Sequence, residues 1–324
     1  MCLTGTYSKL RARMGASVGP LVSICIPTHN DARVVSDALR SAMRQEYAPL
    51  EVLVVDNCST DETWTIVQDI TATDRRVRVS RNPENIGMAR NFNACIESAA
   101  GSYVMILCAD DALEKGCAEF LAGALNDHPD AALAACGRTL TDPELRPVRV
   151  SRARQRKEVV APADMLRECF VHGNRIGEPS AVMFRREAAL RGFDPTLSQA
   201  IDIEMWFHLL DRGAAVLLPE AFSLIRQHGN QMTQANIPSG RIVRDKQLLF
   251  RRYAPRILSS LSVAEKLTWD ARMASSLART RAAGGQVNEN EISEIFYPEI
   301  FSRMLCPLID LGWRVRAMFG SQRL

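Results

Sequence analysis

The chain has no run of about 18 consecutive apolar residues, so no segment reads as a membrane-spanning helix. It also lacks a Cys-x-x-Cys pair and any cysteine spacing typical of a zinc site, although it contains nine cysteines. Cys25, Cys95, Cys108 and Cys136 lie in apolar stretches and therefore read as buried thiols of a reducing, cytoplasmic compartment. No Gly-x-Gly-x-x-Gly turn follows the first apolar strand, and no Gly-x-x-x-x-Gly-Lys-Ser/Thr occurs anywhere, which sets aside the dinucleotide oxidoreductase and P-loop ATPase readings. Net charge is only +3, an argument against nucleic acid as a partner. Residues 1–19 carry Lys9, Arg11 and Arg13 without the apolar core of a secretory leader and are expected to form a mobile tail.

What is present suits a soluble globular protein. The 324 residues, 47% hydrophobic and 24% charged, can build one large α/β domain or two smaller ones. Strands are expected at Leu21 to Ile26, Glu51 to Val55, Val77 to Ser80 and Tyr103 to Leu107, with helices between them starting near Asp31 or Ser36, at Ser59 or Thr60, and at Met88. This alternation implies right-handed crossovers and a mostly parallel sheet with helices on both faces. Further on come a helix at Lys115 to Leu125, a strand at Ala131 to Cys136, and a basic hairpin or loop at Arg138 to Lys157, with seven Lys or Arg against two acids. Helices at Ala163 to Phe170 and Ala200 to Leu210 alternate with strands at Ala181 to Arg185, Ala215 to Leu218 and Phe222 to Arg226. Beyond Ile237 the pattern is helical.

The adjacent acids Asp110 and Asp111 end an apolar run whose carboxyl end is where parallel sheets bind ligands. Two neighbouring carboxylates repel each other, a cost that a divalent cation offsets. The plainer alternative makes Asp111 the N-cap of a helix entered at Ala112. The other strand ends offer Thr28, Asn30, Asp56 and Asn57, a set of amide, hydroxyl and carboxylate groups suited to a single nucleotide.

The ordered segments Pro27-Thr28-His29-Asn30, Val54 to Asp61, Asn85 to Asn91, Cys108-Ala109-Asp110-Asp111, Asp202 to Trp206 and Arg226-Gln227-His228 resemble the family 2 inverting glycosyltransferases with the GT-A fold. The resemblance covers roughly two-thirds of the chain, about Leu21 to Thr233. It implies a GT-A catalytic domain over 20–236, a C-terminal helical region over 237–324, and transfer of a sugar from a nucleotide-diphospho-sugar to a hydroxyl of a glycan or lipid-linked oligosaccharide, in cell-surface polysaccharide synthesis. Carried over by position, Pro27, Thr28 and Asn30 line the nucleotide pocket and Asp56 and Asn57 stand near base and ribose. Asn85, Gly87 and Arg90 close over base and sugar, while Asp110 contacts ribose or donor sugar. Asp111 would ligate Mg²⁺ or Mn²⁺, with His228 approaching the metal, and Asp202 would be the general base. Glu178 could reach the acceptor, and Trp206 stands as a weaker acceptor candidate whose helical spacing with Ile203 and Leu210 equally suits a core position.

Two departures from the family pattern stand out: Cys108 replaces an acid, and Asn57 replaces a second Asp, leaving the preferred base open. Rival readings are a sugar-1-phosphate nucleotidyltransferase, which would need a Gly-rich basic loop absent here, and a catalytically silent nucleotide-sugar-binding protein. The segment Ile300 to Phe319 mixes aromatics with Arg303, Arg314 and Arg316, and is expected either to dock on anionic lipid at the inner face of the membrane or to pack on the catalytic domain or a second copy in a homodimer.

Overall fold

The computed structural model describes residues 19–228 and 239–284. The expectations for the first residues and for Ile300 to Phe319 lie outside them.

The backbone forms two compact units. The first takes the described parts of Met1–Pro162, Ile176–Pro195 and Met205–His228, and holds one sheet of ten strands in the order β3-β2-β1-β4-β9-β6-β10-β5, with β7 on β6 and β8 on β10. The strands are β1 (Val22–Thr28), β2 (Leu50–Asp56), β3 (Val77–Arg81), β4 (Tyr103–Ile106), β5 (Ala112–Leu113), β6 (Ala131–Thr141), β7 (Pro147–Ser151), β8 (Glu158–Val160), β9 (Val182–Arg185) and β10 (Ala214–Arg226). Crossovers are made by α1 (Val35–Met43), α2 (Thr63–Thr71) and α3 (Met88–Ser98), and α4 (Cys117–Asp127) leads into β6.

Strands β1, β2, β3 and β4 pair in parallel, as their continuous apolar runs demand: every residue of β1 and β4 is buried. Strand β9 then enters antiparallel between β4 and β6, whereas β6 and β10 run parallel to each other. The expected mostly parallel sheet is thus observed, with β9 as an antiparallel insertion between its two parallel parts. The core joins Val22, Ile24, Ile26, Val52 and Val54 to Leu39 of α1 and to Leu121 and Leu125 of α4.

Register decides what meets at the sheet's edge. Thr28 lies level with Asp56 across β1 and β2, so the two chain segments leave the sheet side by side. The N-cap alternative for Asp111 is excluded, because Ala112–Leu113 is a strand paired antiparallel with Ser223 and Leu224, and α4 begins only at Cys117 after Gly116. Ser59 and Thr60 do not cap α2 either; that helix starts at Thr63. The basic stretch does form a hairpin, with β6 running on to Thr141 and β7 returning antiparallel along it.

The second unit takes Ala163–Arg175 and Thr196–Glu204 together with the described residues after Gly229. It contains most of α5 (Pro162–His172), the start of α6 (Ile201–Leu209), α7 (Arg241–Tyr253) and α8 (Val263–Ala282). Phe170, Phe250 and Trp269 pack face and edge, with centroids 5.1 to 6.4 Å apart, and tie α5, α7 and α8 together. Asp245 of α7 accepts the backbone N–H groups of Ser198, Gln199 and Ala200, satisfying donors just ahead of α6. The helical region expected over 237–324 thus shares a compact unit with two earlier pieces of chain.

Candidate functional site

The ends of β1 and β2 are locked by short polar side chains. Thr28 donates its hydroxyl to Asp31 at 2.8 Å, and the N–H of His29 bonds the same carboxylate oxygen at 2.9 Å. Burial pushes the Asp31 carboxyl up from its ordinary range, against these two bonds. Asn30 has φ 57°, a left-handed conformation that Asn tolerates, and its side-chain oxygen accepts from the N–H of Thr60 at 2.8 Å. Asp56 is fully buried, accepts from the N–H and hydroxyl of Ser59, and pairs with Arg81 at 3.0 Å. It therefore braces the strand end and has little capacity left for a ligand.

Asn57, only 3% exposed, is the centre of an amide chain. Its oxygen accepts from Asn82 Nδ2 and from the N–H of Ile86, both at 3.0 Å, and its amide donates to Asn85 Oδ1 at 2.8 Å. Asn85 Nδ2 lies 3.0 Å from His29 Nε2, and Asn82 continues the chain to Asn91 at 2.9 Å. An aspartate at 57 could accept the two N–H groups but could not donate to Asn85; the departure from the family pattern has this network as its structural counterpart. Exposed Asn85 and partly buried His29 carry the network's outer end. Gly87 opens α3 with φ 85° and ψ 161°, a combination reached almost only by glycine, and puts exposed Arg90 in the helix's first turn.

The carboxylate pair separates into an inner and an outer member. Asp111 is only 4% exposed; its Oδ2 accepts the Ser180 hydroxyl at 2.6 Å and its Oδ1 accepts the N–H of Arg226 at 3.1 Å. Burial, and then the charge of Asp110, push the Asp111 carboxyl well above the usual range, while the two hydrogen bonds pull it down. Ser180 also accepts the N–H of Cys108 at 3.0 Å, so one hydroxyl holds both ends of the turn. The Arg226 guanidinium is almost entirely buried; it donates to the Asp110 carbonyl at 2.7 Å and to the Pro143 carbonyl, and pairs with Asp37 at 2.7 Å. Asp110 is about one-third exposed, and its Oδ2 lies 3.1 Å from His228 Nε2. Side-chain ligand atoms of Cys108, Asp110 and Asp111 lie within 4.8 Å of one another. One thiol and two carboxylates gathered at the sheet edge, with an imidazole beside the outer carboxylate, form a donor set that fits a divalent cation.

The charge of Glu178 adds a smaller upward push on the Asp111 carboxyl. Glu178 is held by Arg138 of β6 in an ion pair at 2.7 Å. Trp206 is a core residue, at 0% exposure, with its indole N–H donated to the Gly177 carbonyl at 2.9 Å and its ring against Phe184 and Phe193. That packing leaves no face for an acceptor, and corrects the acceptor expectation for Trp206. Asp202 belongs to the second unit, in the first turn of α6, where it accepts from Asn174 Nδ2 at 3.3 Å. Reasoning from sequence missed Ser180 and Arg226 as organisers of the carboxylates. Their signals were faint: a serine after Glu178-Pro179, and an arginine two residues before His228.

An uncharacterised protein of Mycobacterium tuberculosis is 31% identical over 262 residues, 77% of this chain and 81% of that one. Three further relatives match over shorter stretches, in which this chain spans 14%, 38% and 37% of their own length. Among solved structures, TarS of Staphylococcus aureus in complex with UDP-GlcNAc superposes with a TM-score of 0.61 at 16% identity, over 92% of both chains. A mannosyltransferase of Pyrobaculum calidifontis in complex with GDP-Man and Mn²⁺ gives a TM-score of 0.59 at 18% identity, over 98% of this chain and 95% of that one. These likenesses show the GT-A fold. Residues 23–191 match the family model described as Glycosyl transferase family 2, and the chain belongs to that family.

Proposed function

We propose that this glycosyltransferase moves one sugar from a nucleotide-diphospho-sugar to a hydroxyl of a glycan or lipid-linked oligosaccharide, with inversion and with the help of Mg²⁺, Mn²⁺ or a related divalent cation. The observation that carries the reading is the split of the carboxylate pair at the sheet edge. Asp111 is buried and bonded through both oxygens, whereas Asp110 and His228 are partly exposed and 3.1 Å apart. Asp110 and His228 are accordingly the groups that would hold the cation, and Asp111 is the group that sets the turn. This allocation moves to Asp110 the metal role that resemblance alone implied for Asp111, and keeps that of His228. A bound cation supplies Lewis-acid stabilisation of the charge gathered by the departing diphosphate.

The chain's own residues do the rest. Thr28, Asn30 and the Asn57–Asn85–His29 network form the polar border that receives the nucleoside, with Pro27, Asp56 and Gly87 shaping it and Arg90 available to phosphate or sugar. Inversion requires attack on the anomeric carbon from the face opposite the nucleotide, and the attacking hydroxyl must lose its proton as the bond forms. Asp202 is assigned as the base that takes it. Glu178, fixed by Arg138, is assigned to the acceptor side. GDP-Man and UDP-GlcNAc, bound by the two structural neighbours, are the first donors to try.

A thermal-shift panel of nucleotide sugars, with and without Mn²⁺, tests the reading. The true donor raises the melting temperature by mass action, and more so with metal. Asp202→Asn should then abolish turnover while leaving that shift intact. Absence of a metal-dependent shift with every donor would count against the function, and turnover near wild type in Asp202→Asn would remove the base assignment alone.

A further inference from the structure

Cys108 is the one member of the site whose chemistry differs in kind from the oxygen and nitrogen donors around it. Its backbone is fixed by the Ser180 hydroxyl, its side chain is half-buried, and its sulfur belongs to the group of ligand atoms lying within 4.8 Å of one another. Sulfur and oxygen ligands sit about 2.3 and 2.1 Å from a zinc-class ion, so two of them on one metal are at most about 4.4 Å apart.

Asp111 already accepts from Ser180 and Arg226, so the donors considered are Cys108 Sγ and Asp110 Oδ of the cluster, with His228 Nε2 3.1 Å from Asp110 Oδ2. Mg²⁺ prefers a near-octahedral shell of oxygens, and thiolate is its poorest partner among these ligands. Co²⁺ and Zn²⁺ accept sulfur and nitrogen readily and stand higher in intrinsic affinity.

Building on the metal-assisted reading above, we propose that Cys108 is a direct ligand that turns the cation preference of this site away from Mg²⁺ and toward borderline-soft divalent ions of the Co²⁺ and Zn²⁺ class. On binding, the thiol proton passes to solvent and the sulfur lone pair forms the metal bond; no electron transfer is involved. The residue is therefore a specificity determinant for the cofactor.

Co²⁺ is the probe, because a thiolate–Co²⁺ bond gives an intense near-ultraviolet charge-transfer band that oxygen and nitrogen ligands do not. The full chain is titrated with Co²⁺, Mg²⁺ and Mn²⁺, by absorption and by calorimetry, alongside Cys108→Ser, Cys108→Asp and Asp110→Asn, with Cys169→Ser as a thiol control and circular dichroism to confirm folding. Expected are a charge-transfer band in wild type and Cys169→Ser that vanishes in Cys108→Ser, a drop in Co²⁺ affinity of about tenfold or more in Cys108→Ser, and a Co²⁺-to-Mg²⁺ affinity ratio at least about tenfold lower in Cys108→Asp. Co²⁺ binding that depends on Asp110 but gives no such band, or that survives Cys108→Ser unchanged, overturns the sulfur ligand and leaves the metal reading standing. Loss of Asp110 dependence, or no Co²⁺ binding at all, overturns the metal reading and this inference with it.

Discussion

Replacing Ser180 by Ala removes one oxygen atom from a fully buried position and should be felt at both ends of the acidic turn. The hydroxyl donates to Asp111 at 2.6 Å and accepts from the N–H of Cys108 at 3.0 Å. Losing a bond to a carboxylate costs about 1.5–3 kcal/mol, and a partly buried N–H without its acceptor about 1 kcal/mol more, so the expected loss is about 2.5–4 kcal/mol. No cavity larger than a hydroxyl is made, and packing adds little. Urea unfolding followed by circular dichroism reads the total. A double-mutant cycle with Asp111→Asn isolates the shared bond, and a coupling of about 1–2 kcal/mol is expected between two groups in direct contact. Divalent-cation affinity should fall as well, because Ser180 also anchors the backbone of Cys108. A loss below about 0.5 kcal/mol, or strictly additive single effects, would refute the claim that this hydroxyl organises the turn.

Lys246 in the second unit donates to Ser276 Oγ at 2.5 Å, and burial together with Arg272 and Arg279 pushes its ammonium down to about 8 from 10.5. Below pH 8 the group is charged in both folded and unfolded chains, and the folded state bears the whole penalty. Between 8 and 10.5 the unfolded chain holds a proton that the folded one has released, so stability should rise with pH by up to about 3 kcal/mol. Lys246→Met should remove that rise and be the more stable protein at pH 7; equal pH profiles for the two proteins would contradict the assignment. Gly213 precedes β10 with no room for a side chain, since an added Cβ would stand 2.3 Å from the Asp130 carbonyl oxygen and 2.8 Å from the Ala132 nitrogen. Gly213→Ala should cost about 2–3 kcal/mol in chemical denaturation, and a neutral result would show that the β6–β10 junction yields more easily than close packing allows.

The legibility of this protein in its sequence follows the range of the interactions concerned. Strands β1, β2 and β4 were readable because each is a continuous apolar run buried on both faces, and the helices between them because their apolar residues recur at helical spacing. Strand β9 was readable as a strand but not as antiparallel, since Val182–Arg185 carries no local mark of direction; that is decided by pairing with Met105 and Ala134, far away in the chain. The caps expected at Ser59 and Thr60 failed for a related reason. Ser59 is drawn to Asp56, and Thr60 to Asn30, so neither is left to open α2.

The sequence by itself determined the α/β class, the order of the strand-end motifs and the residue types gathered at the sheet edge, because motif order and hydrophobic period are local properties of the chain. Only the tertiary structure decided what surrounds each acid. Asp110 and Asp111 are neighbours in sequence with the same chemistry, and their difference comes from Ser180, 69 residues from Asp111, and from Arg226 and His228, 115 and 118 residues from their partners. Those contacts bury and saturate one carboxylate and leave the other beside an imidazole. Burial and hydrogen-bond partnership set the behaviour of a carboxyl group, and both are fixed by the parts of the chain that folding brings to it.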